Sequence, residues 1–203
     1  GKKLAAAKEK GEPVDYLTFV SDGEPTMDVN LGAEIELLRP LGIKVAVITN
    51  ASLITHKDVR DDLCLADWVS VKIDAVSEDV WRRLNRPHPS LRLGEILHGI
   101  VEFSRVFSGT LSTETMLVAG CNDKEGELGK IAHFIEGLKA AKSYIAVPVR
   151  PPAEKWVAAP GPETVAAAYQ IFKDRSIDAE YLIGYEGNRF ASTGNVEEDL
   201  LGI

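Results

Sequence analysis

The 203-residue sequence contains only two cysteines, Cys64 and Cys121, and they lie far apart in the chain. Two widely separated thiols are not the disulfide framework of a small secreted domain, and such sparing use of cysteine is typical of the reducing cytoplasm. No apolar stretch approaches the roughly 18 residues that a membrane-spanning helix needs. The first residues also lack the apolar core of a signal peptide. We therefore expect a cytoplasmic protein without a membrane segment.

Basic residues are fewer than acidic ones, 23 against 31, which gives a formal net charge of -8 at pH 7. An acidic protein does not favour broad contact with nucleic-acid phosphates, so we expect no general nucleic-acid binding, although a local basic groove is compatible with this total. The sequence also has no Walker loop, no Gly-x-Gly-x-x-Gly and no His-Glu-x-x-His. Its four histidines show no metal-ligand spacing, and we predict no metal-ligand set within this chain.

Short apolar strands alternate with amphipathic helices along the chain, which is typical of a parallel sheet. Strands are predicted at about 16–20, 44–50, 68–74, 111–118, 144–149 and 180–184. Helices are predicted at about 30–41, after Thr55, after Ser77, at about 92–107, up to about 139 and from Pro162. Six strands are fewer than the eight of a closed barrel. We predict an α/β fold, a partial (β/α)6-type TIM-like barrel, as one domain over residues 1–203.

The beginning of the chain has no initiator Met, and its first ten residues resemble the end of a helix that stops at Gly11. One interpretation is that the first barrel strand lies upstream of Gly1. A trimmed or processed terminus explains the pattern equally well.

The predicted third strand carries three polar residues, Ser70, Lys72 and Asp74, at alternate positions. Alternate side chains of a strand point to the same face of the sheet. Both faces of a parallel sheet are covered, so buried polar groups there need partners. We expect this face to line the inside of the barrel near its mouth, where a polar ligand would pair with it.

Other polar residues follow or end the neighbouring strands. Gly23 lets a ligand approach the backbone closely, and the adjacent Glu24 is suited to binding an ammonium group. Thr49 and Asn50 offer short hydrogen-bonding groups at the end of the second strand, although an ordinary solvated turn explains all four residues as well. Glu114 lies within the fourth strand, where a carboxylate is costly unless paired. A cross-strand bond to Lys72 would satisfy it structurally.

Three further residues have weaker indications of function. Arg150, after the fifth strand, is suited to a carboxylate or phosphate but is equally explained as a surface charge. Cys64 lies on a helix and is expected to be a small buried apolar residue. Cys121 follows a strand and is expected to be more exposed, although a lone thiol without a paired His is weak evidence for a nucleophile. We assign no catalytic residue.

Taken in order, four strand-end segments closely resemble those of the radical S-adenosylmethionine (SAM) superfamily. They are 16–26 (Tyr-Leu-Thr-Phe-Val-Ser-Asp-Gly-Glu-Pro-Thr), 47–50 (Val-Ile-Thr-Asn), 69–75 (Val-Ser-Val-Lys-Ile-Asp-Ala) and 114–123 (Glu-Thr-Met-Leu-Val-Ala-Gly-Cys-Asn-Asp). The resemblance covers about residues 14–150. Within the superfamily, the chain looks most like uncharacterised iron–sulfur oxidoreductases related to wybutosine-synthesis tRNA enzymes and to glycyl-radical-enzyme activases.

This resemblance implies an enzyme in which a [4Fe–4S] cluster reduces SAM and the 5′-deoxyadenosyl radical so formed abstracts hydrogen from a substrate. By motif position, Gly23 and Glu24 would meet the methionyl ammonium group, and Thr49 and Asn50 would contact SAM from the neighbouring strand. The remaining cofactor-binding residues implied by the motifs, which address the carboxylate and ribose of SAM or lie nearby, are Ser70, Lys72, Asp74 and Glu114.

The chain departs from the family pattern in two places. The superfamily binds its cluster through Cys-x-x-x-Cys-x-x-Cys, and this sequence has no such motif. We therefore expect the cluster ligands upstream of Gly1, and we expect this chain alone to be inactive. The turn that contains Gly23 also begins with Asp22, where the superfamily often has Gly, so its backbone geometry is expected to differ.

Two other functions are compatible with the residues. One is a barrel lyase or aldolase that uses Lys72 as a Schiff base, and the other is a non-catalytic domain that keeps the SAM pocket. For a radical SAM enzyme, the resemblance implies an electron donor of the flavodoxin or ferredoxin type. The substrate, whether a small molecule, a protein or a tRNA, is not identified by any motif.

Overall fold

A computed structural model of the chain describes residues 4, 9–20 and 23–182, in which six parallel strands form one open sheet. The strands are β1 (Tyr16–Phe19), β2 (Lys44–Thr49), β3 (Trp68–Lys72), β4 (Thr110–Met116), β5 (Lys142–Ala146) and β6 (Ala179–Leu182). Their order in the sheet follows the chain from β1 to β6, and each neighbouring pair is parallel. The predicted α/β class and parallel sheet are confirmed.

Six α-helices of the described part connect the strands. They are α1 (Leu31–Leu38), α2 (Lys57–Leu63), α3 (Glu78–Asn85), α4 (Leu93–Val106), α5 (Glu125–Leu138) and α6 (Pro162–Asp174). Short 3-10 turns occupy Pro25–Met27 and Arg39–Leu41. Within residues 4, 9–20 and 23–182, no helix has the length and apolar character needed to cross a bilayer.

Two strand ends differ from the prediction for identifiable reasons. Strand β3 ends at Lys72, two residues early, because the Asp74 side chain accepts the Met116 N–H and so replaces the ladder bond there. Strand β5 ends at Ala146, and the nearby Pro148 has no N–H to donate to a ladder. Residues 21 and 22 and the predicted end of the last strand at 183–184 lie outside the described residues.

The sheet has a deeply buried apolar face. Val47, Val69, Val71 and Ile145 are each 0% exposed, and the helices cover them with a shared apolar cluster. Because strand side chains alternate, residues one position away lie on the opposite face. The hydrogen-bonding register aligns Lys72, Glu114 and Tyr144 across β3, β4 and β5 on that opposite face. Of these three residues, Lys72 is one that the sequence pattern directed to the barrel interior.

Helices α2 and α3 both begin without a side-chain N-cap bond. His56 and not Thr55 is the N-cap of α2, and it makes no side-chain cap bond. Ser77 is the N-cap of α3 but also makes no such bond. Instead, the buried carboxylate of Glu127 on α5 accepts the backbone N–H groups of Val76 and Ser77, each at 3.0 Å. A carboxylate distant in sequence therefore satisfies the donors that open α3.

Candidate functional site

A cleft of about 780 Å³ lies at the carboxyl ends of the strands. Ligands meet this edge in parallel β/α folds, because the loops that follow the strands converge there. The volume is in the range of pockets that bind cofactors and drug-sized molecules. Six of the eight predicted SAM-binding residues line this cleft: Gly23, Glu24, Thr49, Asn50, Lys72 and Glu114. Arg150 lines it as well.

Glu24 connects the turn after β1 to the end of β2. Its Oε1 accepts from the N–H and hydroxyl of Thr26, at 3.2 and 2.8 Å, and from the Thr49 hydroxyl at 2.5 Å. Its Oε2 accepts from the backbone N–H of Asn50 at 2.7 Å. The Glu24 carboxylate thus fixes two strand ends against each other. The family resemblance did not indicate this structural role.

The local sequence explains how Glu24 reaches this position. Glu24 is extended (φ -119°, ψ 116°) and caps the 3-10 turn Pro25–Met27, in which Pro25 supplies a fixed φ at the first position. A carboxylate has about four acceptor positions, two on each oxygen. With one donor on Oε2 in the described structure, that oxygen retains capacity for a ligand donor, so an ammonium group fits here.

Lys72 and Glu114 form an ion pair across β3 and β4, with Nζ and Oε1 2.9 Å apart. The two residues are direct register partners, which confirms the cross-strand bond expected from the sequence. Burial lowers the pKa of Lys72, but the negative charges of Asp74 and Glu114 and the hydrogen bond to Glu114 together raise it above its ordinary value. Lys72 is therefore an ammonium group at neutral pH.

The charge of Lys72 bears on the Schiff-base alternative. A Schiff-base lysine attacks as a neutral amine and is usually activated by a lowered pKa. The pKa shift of Lys72 has the opposite direction. The site thus disfavours an aldolase and favours binding of an anionic group, such as the carboxylate of SAM.

We predict that the stabilising effect of Lys72 disappears at high pH. A raised folded-state pKa contributes stability that is fully present below the unfolded-state pKa of 10.5 and is lost as pH rises through the folded-state value. The difference in unfolding free energy between the wild type and Lys72→Met should therefore shrink above about pH 10.5. Urea unfolding at pH 8, 10 and 11 measures it. A difference that stays constant over this range would contradict the assignment.

Asp74 and Ser70 do not line the cleft. Asp74 is 4% exposed; its Oδ1 accepts the backbone N–H of Met116 and its Oδ2 accepts from Asn85 Nδ2, both at 2.9 Å. Ser70 is 2% exposed and lies two residues before Lys72 on the same strand. The direct SAM contacts suggested for these two residues remain predictions, and the structure shows instead that Asp74 joins the ends of β3, β4 and α3.

Asn122 is a structural residue of this edge that the sequence analysis did not single out. It is 0% exposed, and its Oδ1 accepts the N–H of Val118 at 2.8 Å. Its Nδ2 donates to the carbonyls of Asp74 and Met116 at 2.8 and 2.9 Å. Its place in the 114–123 segment was the available signal, but the pattern did not indicate which atoms it would bind.

The cleft has an apolar side that was also missed. Many of its residues follow β5 in a proline-rich loop, which has no recognisable motif. The apolar lining comprises Val20, Ile48, Leu84, Met116, Ala146, Val147, Pro148, Val149, Pro151, Pro152, Ala153, Trp156, Val157 and Leu182. The strand-end polar groups and this apolar lining together suit a ligand with charged and apolar parts.

The cysteines do not contribute to the cleft. Cys64 is partly buried as predicted, but Cys121 is 8% exposed and not the accessible thiol that we expected. Burial raises the pKa of both thiols, so neither is poised as a thiolate. Among residues 4, 9–20 and 23–182 there is no group of three or more His, Cys, Asp or Glu side chains placed to hold a metal ion.

Comparisons with known proteins agree with this geometry. A family model described as "Radical SAM superfamily" matches residues 2–135. The chain is 43% identical over 198 residues to a UPF0026 protein of Methanocaldococcus jannaschii, a match that covers 97% of this chain and 62% of that protein. The chain thus spans less than two thirds of the length of this relative.

Two solved structures show the same fold. One is a domain of pyruvate-formate lyase-activating enzyme from Bacteroides vulgatus (TM-score 0.67, 19% identity, 83% of this chain and 98% of that one). The other is a radical SAM methyltransferase from Sphaerobacter thermophilus (TM-score 0.69, 21% identity, 90% and 55%). The family match, the parallel sheet and the placement of the cleft lead to one conclusion: the chain belongs to the radical SAM superfamily.

Proposed function

We propose that this chain forms the SAM-binding and substrate-binding part of a radical SAM enzyme. One observation carries the proposal: in this member of the superfamily, the Glu24 carboxylate and the Lys72 ammonium group line the same cleft. SAM carries an ammonium group, a carboxylate and an adenosine, so it needs groups of both charges and an apolar wall. The cleft offers all three.

The residues fit SAM as follows. Glu24 Oε2 and the backbone at Gly23 are suited to the methionyl ammonium group, and Lys72 is suited to the carboxylate, since its charge is maintained at neutral pH. Thr49 is committed to Glu24 through its hydroxyl, so its contribution is to fix the carboxylate in place. Asn50 lines the cleft beside it and is exposed.

The cluster does not fit within this chain. A [4Fe–4S] cluster is held by several cysteine thiolates at close spacing, and the sequence contains only Cys64 and Cys121. Neither lines the cleft among its described lining residues. We infer that the cluster ligands are supplied by residues outside this sequence, and that this chain alone neither holds the cluster nor turns over.

Reconstitution of this chain tests that inference. After anaerobic incubation with iron and sulfide, we expect far less than one cluster per chain by iron and sulfide analysis, and no broad visible absorbance of an iron–sulfur cluster, because cluster ligation needs clustered thiolates. A stoichiometric [4Fe–4S] centre would overturn the inference. The Cys64→Ala, Cys121→Ala double variant is the control for adventitious iron.

In a protein that carries both groups, the cluster and SAM would supply the radical chemistry, while this chain's own residues would bind, orient and shield the reactants. Such a protein would be an oxidoreductase-like enzyme that depends on an electron donor of the flavodoxin or ferredoxin type. Formation of 5′-deoxyadenosine from SAM by protein that carries the cluster distinguishes this function from a non-catalytic SAM-binding domain, which would bind SAM without releasing that product.

A further inference from the structure

Arg86 lines the cleft at the end of α3, among residues that the superfamily motifs do not include. Its side chain is 60% exposed and forms an ion pair with Glu154, which lies on the loop after β5 and is 40% exposed. Leu84, Pro148 and Trp156 line the same cavity. Arg86 therefore offers a guanidinium group to the cleft beside an apolar wall.

The backbone of Arg86 adopts a conformation that disfavours arginine. Its φ of 45° and ψ of 55° are left-handed, a region in which residues other than Gly, Asn and Asp are uncommon. The following residue is Pro87, and a residue before proline is further restricted towards extended conformations. The preceding Asn85 is fixed by its bond to buried Asp74. Glycine would be the less costly residue here, which makes this arginine a candidate for a functional role.

The partner of Arg86 is easily displaced. Exposed ion pairs contribute little to stability, since water and salt screen them and both side chains must be held in place. Glu154 accepts from one guanidinium nitrogen of Arg86. A carboxylate or phosphate on a ligand would bind the same planar guanidinium, for which two parallel hydrogen bonds are the favoured geometry.

We propose that Arg86 binds an anionic group, a carboxylate or a phosphate, on a substrate whose remaining part is apolar, and that Glu154 pairs with Arg86 until this substrate replaces it. The proposal rests on the proposed function, because it takes the SAM-binding groups to be those at the ends of β1, β2 and β3. It assigns substrate selection to α3 and to the loop after β5.

Calorimetric titration of this chain with phenyl phosphate and with phenylacetate tests the proposal, and benzyl alcohol serves as the uncharged probe. We expect both anions to bind to the wild type. Arg86→Gly should lower the affinity for each anion about tenfold, which is the effect of losing one charge-assisted contact. Glu154→Gln should raise the affinity for each anion about threefold, because the carboxylate that competes for Arg86 is removed. Arg82→Gln is the matched control, since Arg82 lies on the same helix, pairs with Glu78 and is absent from the described lining.

Urea unfolding shows whether a loss of anion binding in a variant comes from misfolding. Arg86→Gly should unfold at a urea concentration no lower than the wild type, because glycine adopts the left-handed conformation without strain. Wild-type anion binding in Arg86→Gly, weaker binding in Glu154→Gln, or no binding of either anion to the wild type would each overturn the proposal.

A parallel SAM titration shows whether Arg86 binds the anionic group of a substrate or the carboxylate of SAM. We expect Arg86→Gly to leave SAM affinity unchanged. An equal loss for SAM would mean that Arg86 serves the SAM carboxylate, and it would overturn the assignment to substrate. Failure of the wild type to bind SAM would count against the proposed function, whereas the anion titrations would still decide the role of Arg86.

Discussion

Replacing Glu24 by Ala is expected to weaken SAM binding at least about 30-fold, equivalent to about 2 kcal/mol. The variant loses the charged acceptor proposed for the ammonium group. It also loses four hydrogen bonds, two from Thr26 within the turn after β1 and two from Thr49 and Asn50 that fix this turn to the end of β2. Because the Thr49 hydroxyl is buried, its lost partner should also lower the unfolding free energy by about 1–3 kcal/mol. NMR titration with SAM and urea unfolding measure the two effects.

Glu34→Ala is the control for this variant, because Glu34 lies exposed on α1 and is absent from the described lining of the cleft. Glu24→Gln separates the two roles of the carboxylate. It keeps one side-chain oxygen for the Thr26 and Thr49 hydroxyls but removes the charge. Its unfolding free energy should therefore fall less than that of Glu24→Ala, while its SAM binding should still be weak. Unchanged SAM affinity in Glu24→Ala would refute the assignment.

Replacing Asp74 by Asn is expected to destabilise the protein by about 2–3 kcal/mol, because the new amide group faces another amide donor. Met116 N–H can still bind the side-chain oxygen, but the Nδ2 groups at positions 74 and 85 would then oppose each other. The exchange variant Asp74→Asn, Asn85→Asp restores one donor and one acceptor. It should recover most of the lost unfolding free energy, which urea denaturation measures.

This exchange separates a structural role from direct SAM binding. If Asp74 acts by joining β3, β4 and α3, the exchange variant should regain SAM affinity along with stability. If Asp74 contacts SAM directly, stability should return while affinity stays low. Asp79→Asn is the matched control, since Asp79 lies exposed on α3.

Much of the fold follows from local patterns in the sequence. The alternating valines of β2 and β3 and the amphipathic stripe of α4 place their elements to within a few residues, because burial on one face imposes a period on the sequence. The pairing of Lys72 with Glu114 was also accessible, since a carboxylate inside a parallel sheet needs a partner and the neighbouring strand offered one. Such an inference requires only the order of the strands and the fact that burying an unpaired charge costs free energy.

The parts that were missed depend on contacts between distant segments. Glu127 caps α3 from α5, and Asn122 binds the carbonyl of Asp74, so no local pattern around either residue identifies its partner. The same holds for Asp74, whose position in an alternating strand suggested a ligand contact, although its side chain completes the end of β4. The apolar side of the cleft comes from a loop whose path no periodicity determines.

The most direct test of the account is to locate SAM on this chain by NMR. In a titration of isotope-labelled protein with SAM, we expect the backbone amide signals of Gly23, Thr49, Asn50 and Lys72 to shift together and saturably. Residues at the opposite ends of the strands, such as Lys44 and Thr110, should be unaffected. Shifts confined to other surfaces, or no shifts at millimolar SAM, would contradict the claim that these strand ends form a SAM site.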